Sequence, residues 1–253
     1  MRKLILSPKN MIMFLLLVVL THGQTQSLQI SAETMENLLT NIDNIVFNGI
    51  QGLSIRKQIR AAFHDCTQGC DGRVGLDKTD NRGLEGFARR MHTFYFDTPI
   101  FRDTLSRADF WVLCSRRALA KAIQSGAAQS GFFPTLSPNL PVFNYGRPNI
   151  TGATTEDSSE GPFPTGLENW PETLSIFKQS TKNMISEAEL VTLLGTHNIG
   201  TAVQENSGFA GTWGAQADKN SLNTGLYTFL TGVGRNRNFS LIQASSSGHT
   251  NSG

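Results

Sequence analysis

Apolar residues spaced three and four apart constrain the fold of this chain more than any other feature. After Ser31, which can cap a helix, the spacing appears at Met35, Leu38, Leu39 and Ile42. The same pattern returns at 55–63, 84–91, 107–123, 170–177 and 187–194. Residues 125–170 are rich in Gly, Pro, Ser and Asn, and predict a long loop. We therefore expect a mainly α fold with long loops and few short strands.

The N-terminus has the layout of a secretory signal peptide over residues 1–23. Arg2 and Lys3 provide a basic start, an unbroken apolar run covers 11–20, and Thr21 and Gly23 are small residues at cleavage-relevant positions. The alternative is a membrane anchor, but ten apolar residues span only about 15 Å of helix, roughly half a bilayer core. We expect a secreted, extracellular protein without a membrane partner.

Charge and cysteine usage narrow the function further. The formal net charge is +2, which gives no reason to expect nucleic acid as a partner. In an exported chain Cys66 and Cys70 are close enough to form a disulfide through the turn at Gly69, which leaves Cys114 as a buried free thiol. The sequons at Asn149 and Asn238 predict glycosylated surface loops.

Two clusters could carry chemistry. Arg60 and His64 are four residues apart, so on a helix they share a face, which suits peroxide chemistry. His197 ends an apolar helix between Gly195 and Gly200, whose small side chains would let a flat cofactor approach. Read separately, each cluster is also compatible with an ordinary helix, in which the histidine only packs or caps.

Together the clusters resemble the two histidine signatures of the secretory plant and fungal haem peroxidases. The motifs on which this resemblance rests are RxxFHDC with GCDG at 60–72 and ELVxLLGxHxIG at 189–200. Three shorter pieces follow in the same order, namely Asn81-Arg82-Gly83-Leu84, Ser106-Arg107-Ala108-Asp109 and Gly146-Arg147. The resemblance covers about residues 30–230 and implies a haem peroxidase-type helical fold.

The resemblance also implies roles for individual residues. His197 would bind the iron of haem b, and Phe63 would form an apolar wall beside the cofactor. His64 would be the acid–base catalyst, with Arg60 stabilising charge and Asn81 accepting a hydrogen bond from the His64 ring. The substrates would be hydrogen peroxide and small reducing donors.

Two further pairs belong to the scaffold that the resemblance implies. Asp109 and Arg147 would form a buried ion pair. Asp65 and Asp71 fall where the family binds calcium, but Arg73 stands where the family often has a serine ligand, and a cation there opposes Ca²⁺. Arg107 stands at a position that is cysteine in the plant group.

The C-terminal part departs from the family. In the family, a buried aspartate near the C-terminal end of the domain holds the proximal histidine, which is the iron ligand and corresponds to His197 here. In this sequence only Glu205 and Asp218 are acidic after His197. We therefore expect a C-terminally shortened peroxidase-like domain over 24–240, with a distal half at about 24–125 and a proximal half at about 165–240, followed by a disordered tail over 241–253. Its activity would be weak or lost.

Two alternatives to an active enzyme remain. One is a catalytically inactive peroxidase-like component of an extracellular matrix, for example a shell or biomineral matrix. The other is haem capture or sensing without turnover, which needs only His197.

Overall fold

The described part of the chain is a set of helices joined by loops. The computed structural model describes residues 30–47, 55–67, 70–130, 143–147, 164, 168–181, 183–201 and 203, without the side chains of 125–130 and 198. The α-helices are α1 Ala32–Asn41, α2 Ile55–Thr67, α3 Glu85–Asp97, α4 Pro99–Thr104, α5 Arg107–Ser130, α6 Trp170–Ser180 and α7 Glu187–Leu194. A π-helical segment, Ile42–Phe47, continues α1, and 3₁₀ turns cover Thr79–Asn81 and Gly195–Asn198.

The described residues are mostly helical and contain no strand, which confirms the mainly α expectation. Ser31 caps α1 as predicted, because its hydroxyl accepts the backbone N–H of Thr34. At α6, Asn169 and Glu172 form a reciprocal capping box, and Pro171 in the first turn lacks the N–H that would have no partner there. These local signals explain where both helices begin.

An aromatic cluster forms much of the core around α3, α4 and α5. The rings of Phe101 and Phe110 lie 4.7 Å apart between centroids, and those of Tyr95 and Phe110 lie 5.6 Å apart. Phe87 meets Trp111 edge to face at 6.3 Å. Tyr95 is buried, and its hydroxyl donates to the Leu105 carbonyl at 2.9 Å, which satisfies its polar end.

Polar contacts tie α2 and the segment 143–147 to α5. The Gln58 amide nitrogen donates to the Ser115 hydroxyl at 2.9 Å, in the buried contact between α2 and α5. The predicted Asp109–Arg147 ion pair is confirmed, with 2.7 Å between Asp109 Oδ1 and Arg147 Nη1 and both side chains almost fully buried. The first turn of α5 is therefore fixed by charge as well as by packing.

The structure corrects the expected length of two helices and adds a third. Helix α5 continues through residues 125–130, which we expected to begin the long loop, because alanine and glutamine there favour helix over the single Gly126. Helix α3 extends beyond Met91 to Asp97. The short α4 begins at Pro99, which suits a first helical turn.

The chain divides into two compact units, one of residues 1–120 with 136–193 and the other of 121–135 with 194–253. The predicted halves, 24–125 and 165–240, stay a prediction. Over the described ranges no helix is long and apolar enough to cross a bilayer. The signal peptide at 1–23, the sequons at Asn149 and Asn238 and the tail at 241–253 lie outside the described residues.

Candidate active site

Arg60, His64 and Asn81 lie together in the first unit as a hydrogen-bonded chain. Asn81, at the end of the first 3₁₀ turn, donates through Nδ2 to the Gly75 carbonyl at 2.6 Å, so its Oδ1 faces His64 as an acceptor. His64 Nδ1 therefore carries the proton and donates to Asn81 Oδ1 at 2.5 Å. His64 Nε2 is then unprotonated, and it accepts from Arg60 Nε at 3.2 Å. These contacts select one tautomer of the buried imidazole.

Two main-chain carbonyls hold the Arg60 guanidinium beside the ring. Arg60 Nη1 donates to the Arg82 carbonyl at 2.9 Å, and Nη2 donates to the Asp80 carbonyl at 2.7 Å. Burial lowers the pKa of Arg60 below its ordinary value, while the charges of Glu85 and Asp80 oppose that shift. The group stays a cation at neutral pH. The site therefore combines a proton acceptor with a fixed positive charge.

Phe63 forms an aromatic contact next to His64. Its ring meets the imidazole edge to face, with 5.7 Å between centroids, and it lies 5.8 Å from the ring of Phe177 on α6. The contact with Phe177 ties α6 to the helix that carries Arg60 and His64. Phe63 is half-buried, whereas Phe177 is buried.

Asp65 and Asp71 also come together, directly after His64. Asp65 Oδ1 accepts the backbone N–H groups of Asp71, Gly72 and Arg73 at 2.8, 2.9 and 3.2 Å. Burial, and after it the charge of Asp71, raises the pKa of the Asp65 carboxyl well above its usual range, while the backbone amides of Arg73 and Asp71 oppose the rise. Asp65 therefore fixes the turn that follows helix α2.

A disulfide closes the same turn. Cys66 and Cys70 are bonded, as predicted, and Cys114 is free and buried. Gly72 has φ +77°, and a Cβ there would lie 2.8 Å from the Ala108 backbone nitrogen. The turn therefore lies directly against the start of α5, at a distance that only glycine allows.

His197 lies in the second unit, in the 3₁₀ turn that follows α7. Its Nδ1 donates to the Leu194 carbonyl at 3.0 Å, which leaves the tautomer whose Nε2 lone pair can bind a metal. The His197 side chain is exposed at the surface. Partial desolvation by the protein atoms around it lowers the pKa of the imidazole, and the hydrogen bond with Leu194 opposes that shift. Gly200 has φ +112°, which supports glycine at that end of the motif.

The structure thus brings Arg60, Phe63, His64 and Asn81 into one cluster, with Asp65 and Asp71 beside it. The resemblance to haem peroxidases also predicts that His64 and His197 face each other across a cleft, and this stays a prediction. Sequence reasoning missed the carbonyls of Gly75, Asp80 and Arg82, and the contact with Phe177. Every residue carries a main-chain carbonyl, so the residue types at these positions do not mark them as hydrogen-bond acceptors. Only their closeness to Asn81 in sequence could have indicated these carbonyls.

A buried imidazole with a fixed tautomer and a neighbouring guanidinium is an arrangement that suits peroxide activation. The chain matches the family model for peroxidases over residues 33–245. It therefore belongs to the peroxidase family. A search of curated proteins found no match.

Proposed function

We propose that this chain is a secreted haem b peroxidase-like protein that reduces hydrogen peroxide while oxidising small donors, with turnover weaker than in family members that hold the iron-binding histidine with an aspartate. The single observation that carries the proposal is the hydrogen-bonded chain from Arg60 through His64 to Asn81. Family membership supports it, because peroxidases generally bind haem and act on hydrogen peroxide with a reducing substrate.

The chemistry of the His64 cluster is the movement of one proton. His64 Nε2 takes the proton from one peroxide oxygen and returns it to the other oxygen as the O–O bond breaks. Asn81 keeps Nδ1 protonated, so Nε2 is always the basic nitrogen. The Arg60 cation stabilises the negative charge that develops on the leaving oxygen, and its two carbonyl contacts hold it in place before the reaction begins.

The residues around His197 fit a haem iron. The hydrogen bond from Nδ1 to the Leu194 carbonyl fixes the tautomer that an iron ligand needs. When bound, haem supplies the electrons that reduce the peroxide. His197 would hold the iron, and Phe63 would offer apolar contact to the cofactor.

The test separates haem binding from peroxide activation in the purified, secreted chain reconstituted with haem. His64→Ala should keep the Soret absorption of bound haem but lose about 10²–10⁴-fold in turnover with a phenolic donor. His197→Ala should lose the haem. His92→Ala, a histidine on α3 outside the cluster, is the matched control and should change neither property. A chain that takes up no haem at all would overturn the proposal.

A second candidate is a peroxidase-like protein without turnover, retained as an extracellular matrix component. The observation that favours it is one contact of His197, the hydrogen bond from Nδ1 to the Leu194 main-chain carbonyl. A carbonyl makes the imidazole a weaker electron donor to iron than a carboxylate would. Haem uptake with a normal Soret band but no peroxide turnover would favour this second candidate over the first.

A further inference from the structure

Two largely buried carboxylates, those of Asp65 and Asp71, follow His64 in sequence at the turn that the disulfide closes. Asp65 is almost fully buried, and the Asp71 side chain is only 11% exposed. Arg73 donates to Asp71 Oδ2 through Nη2 at 2.6 Å and through Nε at 2.8 Å. Buried carboxylates need opposite charge close by, and Arg73 supplies part of it.

A second arginine lies beside the same carboxylates. Arg107 is 5% exposed, and its charge interacts with those of Asp71, Arg73 and Asp65. It is the first residue of α5, where the helix dipole disfavours a cation. The nearby carboxylates provide the physical reason for a buried cation at that end of the helix.

These contacts do not fit a calcium ion. Three backbone N–H groups already occupy Asp65 Oδ1 and Arg73 occupies Asp71 Oδ2, so of these four carboxylate oxygens only Asp65 Oδ2 and Asp71 Oδ1 have no hydrogen-bond partner. Arg73 already occupies the other oxygen of Asp71, and its charge would repel a divalent ion. In the described ranges, no group of three or more His, Cys, Asp or Glu side chains could hold a metal.

We propose that Arg73 and Arg107 together replace a divalent cation at Asp65 and Asp71, so that the turn behind His64 is held without calcium. The two guanidinium cations lie beside both acidic side chains and favour their ionised form against the cost of burial. Arg73 makes the direct contact with Asp71, and Arg107 adds its charge from the start of α5. The contact of Gly72 with the backbone of Ala108 keeps the turn close to Arg107.

The first experiment uses the full secreted chain without substitutions. Thermal unfolding is measured in excess calcium chloride and in excess EGTA, and calcium binding is measured by titration calorimetry. We expect the same Tm in both solutions and no saturable binding. A Tm that rises with calcium, or stoichiometric calcium binding, would overturn the inference.

The second experiment removes the charge that stands in for the ion. Arg73→Gln should lower Tm, and calcium should then raise it, because Asp71 Oδ2 becomes available to a cation. Arg102→Gln is the matched control, since Arg102 pairs with Asp103 at an exposed site, and it should keep its Tm with or without calcium.

The variants can also contradict the inference. An Arg73→Gln chain as stable as Arg102→Gln, or one whose lost stability calcium does not restore, would show that Arg73 is not a substitute for an ion. If Arg73→Gln yields no folded protein, the calcium titration of the unsubstituted chain decides alone. None of these measurements depends on peroxidase activity.

Discussion

Replacing Asp109 with alanine tests whether the buried ion pair holds the start of α5 to the segment 143–147. Asp109 Oδ1 accepts from Arg147 Nη1 at 2.7 Å, and Oδ2 accepts the backbone N–H groups of Gly146 and Arg147 at 2.6 and 3.2 Å. Asp109→Ala removes all three contacts. It also leaves the Arg147 guanidinium, only 5% exposed, without this carboxylate.

The magnitude follows from that burial. Removing one partner of a buried pair costs about 3–5 kcal/mol, chiefly because the other charge stays desolvated. Asp109→Asn keeps an acceptor for the backbone amides and should cost less. Replacing both partners, as in Asp109→Leu with Arg147→Met, should be milder than Asp109→Ala, since no charge then remains buried.

The assay is equilibrium unfolding in urea, followed by circular dichroism at a helical wavelength. Asp103→Ala is the control, because the Arg102–Asp103 pair is exposed and such pairs contribute about 0–1 kcal/mol. If Asp109→Ala costs no more than Asp103→Ala, or if the double variant is less stable than the single one, the reasoning from burial is refuted.

Two further predictions concern Asn81 and Cys114. In the haem-reconstituted chain, Asn81→Leu should lose much of the roughly 10²–10⁴-fold contribution of acid–base catalysis, because the acceptor that holds the proton on His64 Nδ1 is then gone. Asn81→Asp keeps an acceptor and should retain more turnover. Equal turnover of the two variants would contradict this role. Burial raises the pKa of the Cys114 thiol well above its ordinary value. At pH 8 a thiol reagent should therefore label the native chain very slowly. Once urea unfolds the chain, the reagent should promptly modify one cysteine, which is Cys114. Prompt labelling of the native chain would contradict the burial of Cys114.

Much of the helical organisation could be predicted because it is encoded locally. Ser31 is the N-cap of α1, and the apolar spacing places α2, α5 and α7 where the structure has them. The boundaries were less predictable. Helix α5 passes Gly126, because good helix formers on either side outweigh the cost of a single glycine in about one turn.

The candidate site was predictable in its side chains and not in its main chain. The spacing of Arg60 and His64 predicts a shared helix face, and the structure has both on α2 in direct contact. The acceptors of Arg60 are carbonyls, which every residue carries, so no residue type marks them. The position of Arg107 beside Asp65 and Asp71 could not be predicted, because it depends on a three-dimensional contact between residues about 35 positions apart in sequence.

The carbonyl contacts of the His64 cluster determine how tolerant it is to sequence change. Gly75, Asp80 and Arg82 contribute main-chain oxygens, so the path of the backbone matters there more than the side chains do. Point substitutions between 76 and 80 can accumulate while those oxygens stay in position. Loss or gain of a single residue in the same stretch would shift the Asp80 and Arg82 oxygens relative to the Gly75 oxygen. Evolution of this loop is therefore constrained in length and comparatively free in composition.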